Sequence, residues 1–445
     1  DEELSAEDYE RFADQVADKL RGCGFDVQRS QPCCVADEFD TAVTEFETAG
    51  IEALATLHMG YSPSMESIEA LRMSSFPTVI IDTTMDPSFG DDVEAKRILY
   101  NHGIHGVMDM ASMLRRYECP YEIVAGHLDA LGVLNRVNEV LNAAIAENRF
   151  RGARTLRIGQ AFKGMGDFSV DEEVLDQAFS IGMEQITSDD LADAIAAVTD
   201  DEVRAEMNAD KTSFNCIVPD PVHERSTRVA LGLRRVLEER RCHAFSMNFE
   251  AFVSPEPPVN AVPFIEASKA MARGIGYAGE GDVLTAALVG ALAHGFGETT
   301  FTEIFCPDWA GDRIFLSHMG EINPLCIDGR PKIIEKPFPY TPAENPAVIC
   351  GALRPGKAIL VDLVPGPEDT FDLIAAPLEM VAGGTHPSME NAIRGWAKPA
   401  VPVAEFLERY SRLGGTHHHA LVYDQDVSAI EAFANLLGIP CHVIK

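Results

Sequence analysis

The chain has 445 residues, which at roughly 100 to 200 residues per domain predicts two to four domains. It carries 70 acidic residues against 36 lysines and arginines, a formal net charge of -34. This charge would repel the phosphates of nucleic acids and of anionic membranes, so neither is expected as a partner. Hydrophobic residues make up 46% of the chain and charged residues 24%, the balance of an ordinary globular protein.

Two further features bear on the compartment. No stretch approaches the ~20 uninterrupted apolar residues of a membrane span, and the acidic start, DEELSAEDYE, lacks the positive charge and apolar core of a signal peptide. The ten cysteines are scattered from Cys23 to Cys441 without a C-x-x-C spacing, which fits reduced thiols better than a disulfide framework. We therefore expect a cytoplasmic protein without a membrane segment.

The first 150 residues alternate apolar runs with amphipathic stretches. A helix is predicted from a cap at Ser5 through Phe12 and Leu20 to Gly22. Short β-branched runs at residues 51–57, 78–81 and 122–124 follow, and helical periodicity comes after them, as at 64–73 and 129–146. This alternation predicts βαβ units and hence a parallel sheet.

Changes in composition and in predicted secondary structure along the chain indicate two domain boundaries. A polar joint, ENRFRGART, precedes a second α/β region that includes helical stretches at 188–198 and 225–240 and a strand at 244–247. From about residue 310, short strands are separated by Pro and Gly, with little helical periodicity before residues 427–437. We predict three domains: two Rossmann-like, doubly wound α/β domains at 1–152 and 153–300, and a mainly β domain at 301–445.

Reactive side chains concentrate in residues 273–324 and in three histidines at 417–419. Gly274, Gly276 and Gly279 spell G-x-G-x-x-G, but a helical segment and not a strand precedes them, so a dinucleotide site is not predicted. The other polar residues are carboxylates and imidazoles: Glu280, Asp282, Glu303, Asp308, Asp312, His318, Glu321 and His417 to His419. Mixed oxygen and nitrogen ligands suit Mn, Fe or Co and predict a catalytic cation. For Asp308 and Asp312, plain surface charge is at least as good an interpretation.

Four segments of this region carry a family resemblance. GYAGEGDVLTAAL, TTFTE, LSHMGEINP and GGTHHHALV occur in the order and at nearly the spacing seen in L-arabinose isomerases, with L-fucose isomerases as more distant relatives. LHMGYSPSM, NHGIHG, VAGHLD and the C-terminal LLGIPCHVI also look like family segments. The chain thus resembles the L-arabinose isomerase family over nearly its whole length, most strongly after residue 265.

The resemblance implies a metal site and a reaction. The ligands would be Glu280, Glu303, His318 and His418, with His417 lining the pocket; the ion would be Mn²⁺, with Co²⁺, Fe²⁺ or Mg²⁺ as alternatives. The implied reaction interconverts an aldose and a ketose of a pentose or hexose. A cis-enediol route would use one of Glu280 and Glu303 to remove the C2 proton and the other to move protons at O1 or C1.

The resemblance also implies an oligomer. In the family the NHGIHG-type segment reaches the sugar from a neighbouring subunit, so His105 is an expected substrate contact, and His102 stands where the family usually has Gln. Tyr61 stands where Phe is common in the family. It is either a third substrate contact or a core aromatic residue whose hydroxyl group reaches solvent. We expect a symmetric homo-oligomer, trimeric or hexameric, with the active site at a subunit interface.

The sequence does not predict a particular sugar. After Glu303 the family's acidic and aromatic run is replaced by IFCPDWAGDR, and a fold and a metal site do not determine the substrate.

Two alternatives to a sugar isomerase stay open. A metal-dependent epimerase or lyase on an unusual sugar derivative would use the same enolisation, and product analysis would separate it. A non-enzymatic sugar-binding protein would have little need for two glutamates and two histidines.

Overall fold

The computed structural model describes residues 5–384 and 386–445. They form two compact units, one of the described residues up to Asn148 with Ser428–Ile439 and one of those from Arg149 to Val427 with Pro440–Lys445. None of the helices in these described ranges combines the length and the apolar character that crossing a bilayer requires. The division into three domains at residues 152/153 and 300/301 stays a prediction.

The first unit is built on a parallel sheet of three strands in the order β1-β2-β3. Its strands are β1 (Leu54–Leu57), β2 (Thr78–Asp82) and β3 (Tyr121–Ala125), and its first helices are α1 (Ala6–Gly22), α2 (Ala36–Ala49), α3 (Ile68–Met73), α4 (Ile104–Arg116) and α5 (Val133–Phe150). The cap predicted at Ser5 is confirmed, because its hydroxyl accepts a hydrogen bond from the N–H of Asp8. Ile80 of β2 packs with Ile68 of α3 and Met110 of α4 in the core.

The second unit begins with another parallel sheet. Its elements in chain order are β4 (Arg154–Ile158), α6 (Glu172–Phe179), β5 (Gly182–Ile186), α7 (Ala192–Ala196), α8 (Asp200–Ser213), β6 (Asn215–Cys216), α9 (Asp220–Glu239), β7 (Ala244–Met247), α10 (Phe264–Ala272), β8 (Gly276–Gly279) and α11 (Val283–Phe296). Four strands form the sheet in the order β5-β4-β7-β8. The direction of chain progression reverses between β4 and β7, and in such sheets a crevice opens at the carboxyl ends of the strands on either side of the reversal.

The rest of the second unit is mainly β, as predicted. Its elements are β9 (Thr299–Asp308), β10 (Arg313–Ser317), β11 (Lys332–Glu335), β12 (Ala347–Cys350), β13 (Gly356–Pro365), β14 (Phe371–Val381), β15 (Gly395–Pro399), α12 (Val403–Arg412), β16 (His418–Tyr423) and β17 (Cys441–Val443). Between the last two in sequence comes α13 (Val427–Leu437), which from Ser428 onward belongs to the first unit. Six strands form an antiparallel barrel in the order β13-β16-β9-β10-β15-β14, which the pairing of β14 with β13 closes. A small separate sheet has the order β12-β11-β6.

One prediction about this region is wrong. The sequence indicated little helix between residue 310 and residues 427–437, yet α12 lies at Val403–Arg412. Its buried residues Val403, Phe406 and Tyr410 follow helical spacing. Together with Leu407 they give the i, i+3, i+4, i+7 pattern of an amphipathic helix, so the signal was present in the sequence and was overlooked next to a Pro-containing stretch.

Helix α11 joins the sheet to the barrel. It packs against β7 and β8 on the sheet and against β9 and β16 on the barrel, and nearly all of its residues are buried. A helix enclosed in this way has to be apolar around its whole circumference, which explains the sequence VLTAALVGALA. The sequence of α11 therefore reflects its place between two layers.

Two glycines allow α11 to lie close to β8. A Cβ on Gly276 would lie 2.0 Å from the carbonyl oxygen of Ala286 and 2.4 Å from the nitrogen of Gly290, and a Cβ on Gly290 would lie 2.8 Å from the carbonyl oxygen of His243. As predicted, a helix, α10, precedes the G-x-G-x-x-G glycines. Gly276 thus serves helix packing, a role unrelated to phosphate binding.

We expect Gly276→Ala to lower the free energy of unfolding by about 1–3 kcal/mol, because an added methyl group overpacks the contact between β8 and α11. The measurement is urea unfolding followed by circular dichroism. Gly182→Ala in the same sheet is the matched control, because a Cβ there meets nothing within 4 Å. Equal unfolding midpoints for the two variants would show that the contact is looser than described.

Candidate active site

Glu280 stands at the carboxyl end of β8, in a backbone conformation unusual for a residue with a side chain. Its φ is 63°, in the left-handed region, and Gly281 follows with a φ of 88°. The carbonyl oxygen of Glu280 accepts a hydrogen bond of 2.8 Å from the N–H of Phe162. A Cβ on Gly281 would lie 2.7 Å from the Cα of Ala161. The segment after β4 thus packs directly against the turn that carries Glu280.

The barrel supplies a second carboxylate and two imidazoles. Glu303 on β9 is the register partner of both His418 on β16 and Ser317 on β10, and His318 directly follows Ser317. Glu303 Oε1 lies 3.2 Å from His318 Nε2 and 3.1 Å from His418 Nε2. Strand pairing alone therefore places these three side chains together, although they come from separate parts of the sequence.

A buried carboxylate contacts Nδ1 of each of these two imidazoles, on the side of the ring away from Glu303. Nδ1 of His318 lies 2.6 Å from Glu321 Oε2, and Nδ1 of His418 lies 2.9 Å from Asp282 Oδ2. Glu321 also accepts a hydrogen bond of 2.6 Å from the hydroxyl of Tyr277. An ionised carboxylate only accepts, so both Nδ1 atoms donate and both Nε2 atoms are left facing Glu303. Histidines that ligate metals are oriented in this way.

The charges of the cluster favour a cation. Burial alone would lower the pKa of His318, but Glu321 and Glu303 raise it to about 10. Burial also opposes the charge of His418, yet Asp282 and Glu303 raise its pKa to about 9. Burial raises the pKa of Glu280, whereas the two histidines hold that of Glu303 well below its usual range. The carboxylates thus create a negative environment in which positive charge is stabilised.

The donor set fits a divalent metal ion. Ligand atoms of Glu303, His318 and His418 lie within 4.8 Å of one another, and so do those of Glu280, His417 and His418. His418 belongs to both groups, and its buried Nε2 lies 3.1 Å from Glu303 Oε1 without forming a well-directed hydrogen bond. An unpartnered buried nitrogen among carboxylate oxygens is what a cation of the Mn, Fe or Co type would satisfy.

Two residues of the site have no sequence motif. Oδ2 of Asp167 lies 2.6 Å from Nδ1 of His417, and the ring of Phe168 stacks on His418 with centroids 4.7 Å apart. The only available signal was their position in the segment after β4, at the carboxyl edge of the parallel sheet. The sequence pointed to Asp282 and Glu321 as reactive residues but did not indicate that they orient histidines.

Three members of the predicted polar set lie apart from the cluster. Asp308 bonds Arg313 at 2.8 Å, and Asp312 accepts a hydrogen bond of 2.8 Å from the N–H of Val403, which fits their interpretation as surface or turn residues. His419 belongs to neither group of potential ligands among the described residues. Burial lowers the pKa of His419 to about 3, so it is a neutral residue of the barrel interior.

The three substrate contacts predicted near the N-terminus lie in the first unit. The rings of Tyr61 and His105 are 5.5 Å apart, and those of His102 and His105 are 6.0 Å apart. Tyr61 is 64% exposed, so the alternative that it is a core aromatic is wrong. Contact of these three residues with a substrate stays a prediction.

Comparisons with known proteins agree on one family. Residues 157–295 match the model of the L-arabinose isomerase central domain, and residues 298–440 match that of the L-arabinose isomerase C-terminal domain. The L-arabinose isomerase of Shouchella clausii is 26% identical over 430 residues, 93% of this chain and 85% of the relative.

Two other relatives extend the agreement. The L-arabinose isomerase of Erwinia tasmaniensis is 24% identical over 98% of this chain and 90% of the relative. That of a Nocardioides species is 25% identical over 87% of this chain and 79% of the relative. Two domain models and relatives matched over 79–90% of their own length lead to the same conclusion: the chain belongs to the L-arabinose isomerase family.

Proposed function

We propose that this protein is a divalent-metal-dependent isomerase that converts a pentose or hexose through a cis-enediol intermediate. Membership of the family makes it an aldose–ketose isomerase. The observation that carries the metal-dependent mechanism is the cluster in which Glu303 meets two imidazole Nε2 atoms, with Glu280 beside His418. A protein that only binds sugar would gain nothing from orienting two histidines toward a carboxylate.

The residues that would hold the ion are Glu280, Glu303, His318 and His418. Mn²⁺ is the ion we propose, with Co²⁺, Fe²⁺ or Mg²⁺ as alternatives, because carboxylate and imidazole ligands suit such cations. When bound, a divalent cation supplies positive charge that stabilises the negative charge developing on the sugar oxygens. His417 would line the sugar side of this cluster.

The two glutamates would divide the proton transfers. One takes the proton from C2 of the open-chain aldose and later returns it to C1. The other moves the proton of the O2 hydroxyl to O1, so that the carbonyl is formed at C2 and a hydroxyl at C1. No proton or electron pair is gained or lost overall, which is what an isomerisation requires. Two carboxylates in different surroundings can serve as base and acid in one reaction.

L-Arabinose is the first sugar to test, because the curated relatives are named for it. At 23–26% identity, the substrate does not follow from the relatives. The hairpin of β9 and β10 next to Glu303 bears Phe305 and Trp309, both exposed, where the family sequence differs. We propose that this hairpin contributes to the choice of sugar.

We also propose a domain architecture, an oligomeric state and a location for this protein. The first two domains would be Rossmann-like and doubly wound, within the boundaries 1–152, 153–300 and 301–445. The protein would form a trimer or hexamer in which Tyr61, His102 and His105 of one subunit reach the sugar bound to another. A cytoplasmic location is supported by the cysteines, all ten of which lie in the described residues without a disulfide.

The decisive experiment is to load the purified protein with Mn²⁺ and incubate it with a panel of aldoses, L-arabinose included, in D₂O. We expect one aldose to give a ketose that carries deuterium at C1, detected by NMR, because the transferred proton can exchange with solvent. A protein that binds the metal but promotes neither ketose formation nor exchange with any sugar would overturn the proposed reaction.

We expect Glu303→Gln to lower kcat by about 10³-fold or more, because it removes both a ligand and a proton carrier. The measurement is ketose formation at saturating Mn²⁺, with circular dichroism as the check on folding. Glu405→Gln, an exposed change on α12, is the control and should retain full activity. Turnover in the folded Glu303→Gln protein would contradict the mechanism.

We expect Asp282→Asn to weaken Mn²⁺ binding by about 10- to 100-fold, the usual effect of losing a carboxylate that orients a ligating histidine. Asparagine can still cap α11, so the helix should remain. Isothermal titration of metal-free protein measures the affinity. Asp308→Asn changes an aspartate outside the cluster and should bind Mn²⁺ as the unmodified chain does; equal affinities in all three proteins would refute the role of Asp282.

A further inference from the structure

We propose that Asp167 is a positioning residue that holds the ring of His417 with Nδ1 turned away and Nε2 free to accept a hydrogen bond from a sugar hydroxyl. This inference deepens the proposed function and rests on it. Asp167 belongs to the segment between β4 and α6, residues 159–171, which we call the β4 loop. None of the short motifs that carry the family resemblance lies in this loop, although the loop falls within the range that matches the family's central domain.

A single oxygen of Asp167 fixes both the backbone and the ring of His417. Oδ2 accepts a hydrogen bond of 2.9 Å from the backbone N–H of His417 and lies 2.6 Å from Nδ1 of the same residue. Because an ionised carboxylate only accepts, Nδ1 of His417 is the donor in this contact. In the neutral imidazole, Nε2 is then the nitrogen with a lone pair. The contact therefore determines the tautomer as well as the orientation of the ring.

The β4 loop itself is held against the site at several points. Phe168, next to Asp167, stacks on His418 with an angle of 13° between the rings. Nearer the start of the loop, the N–H of Phe162 donates to the carbonyl oxygen of Glu280, and the side-chain amide of Asn248 donates to the carbonyl oxygen of Gln160 at 3.0 Å. Asp167 is thus placed by a loop anchored at both ends.

The arrangement has a consequence for sugar binding. His417 belongs to the group with Glu280 and His418, so it borders the proposed cation on one side and Asp167 on the other. A hydroxyl can donate to Nε2 only in the tautomer with the hydrogen on Nδ1. An asparagine at position 167 keeps the shape of the side chain but also offers an N–H₂ group, which favours the opposite tautomer.

The kinetic test compares Asp167→Asn, His417→Gln and the double variant in the Mn²⁺-loaded protein. We expect Asp167→Asn to lower kcat/KM by about 10- to 100-fold, the range found when a partner that orients a functional histidine is lost. Its Mn²⁺ affinity should stay within about twofold of that of the unmodified chain. Replacing a carboxylate that orients a metal-ligating histidine would weaken Mn²⁺ binding much more. Asp171→Asn, in the same loop and without a side-chain cap bond, should leave kcat/KM unchanged.

The double variant shows whether Asp167 acts through His417. If it does, adding Asp167→Asn to His417→Gln causes no further loss, because interacting residues are not additive. Additive losses, or an Asp167→Asn protein as active as the unmodified chain, would overturn the inference.

A second readout does not depend on activity. Long-range ¹H–¹⁵N spectra of metal-free protein with labelled histidines report which ring nitrogen carries the hydrogen, and the His417→Gln variant assigns the signal. We expect hydrogen on Nδ1 of His417 in the unmodified chain and a shift toward Nε2 in Asp167→Asn. If no aldose is converted, the proposed function fails, and this spectrum still decides the inference: hydrogen on Nε2 in the unmodified chain refutes it.

Discussion

The packing of α11 between a parallel sheet and a barrel is the constraint on which the site depends. Glu280 leaves β8 just before this helix begins, and Asp282 at its first turn both caps the helix and bonds His418. One carboxylate thereby ties the sheet, the helix and the barrel strand β16 to a common point. Any displacement of α11 would separate Glu280 from the barrel residues, so the close contact at Gly276 and Gly290 matters for chemistry as well as for stability.

The cluster concentrates charges that water would otherwise solvate. Burying Asp282, Glu303 and Glu321 together is unfavourable unless each is paired. Imidazoles supply part of the compensation, since His318 and His418 each lie between two carboxylates. The strong acidity of the whole chain adds a long-range attraction for cations. The site is thus prepared for positive charge before any ligand arrives.

The sequence allowed the local elements and the short motifs to be predicted, because the signals for both lie within a few residues. Residues 244–247 and 427–437 were placed as the structure has them, and Glu303, His318 and His418 were identified inside distinctive segments. The barrel itself could not be predicted from the sequence, since one of its strand pairs, β16 with β9, joins distant parts of the chain.

Long-range contacts escaped prediction for the same reason. Asp167 is 250 residues from His417 in sequence, and the sequence around neither residue indicates that the two side chains are in contact. Helix α12 was missed for a different reason: its amphipathic pattern is local, but it is only ten residues long and lies between Pro- and Gly-containing segments. Asp282 and Glu321 were recognised as polar residues in the right region, but a sequence does not show which nitrogen of a histidine a carboxylate will face.

The backbone at Glu280 illustrates a conflict between folding and function. A residue with a side chain in the left-handed region is held there at a cost of about 1–3 kcal/mol, which glycine would avoid. Stability alone would favour glycine at this position, next to Gly279 and Gly281. Retaining a carboxylate there makes the turn a place where activity and thermal robustness compete, so sequence changes that stabilise the protein elsewhere would make this strain easier to tolerate.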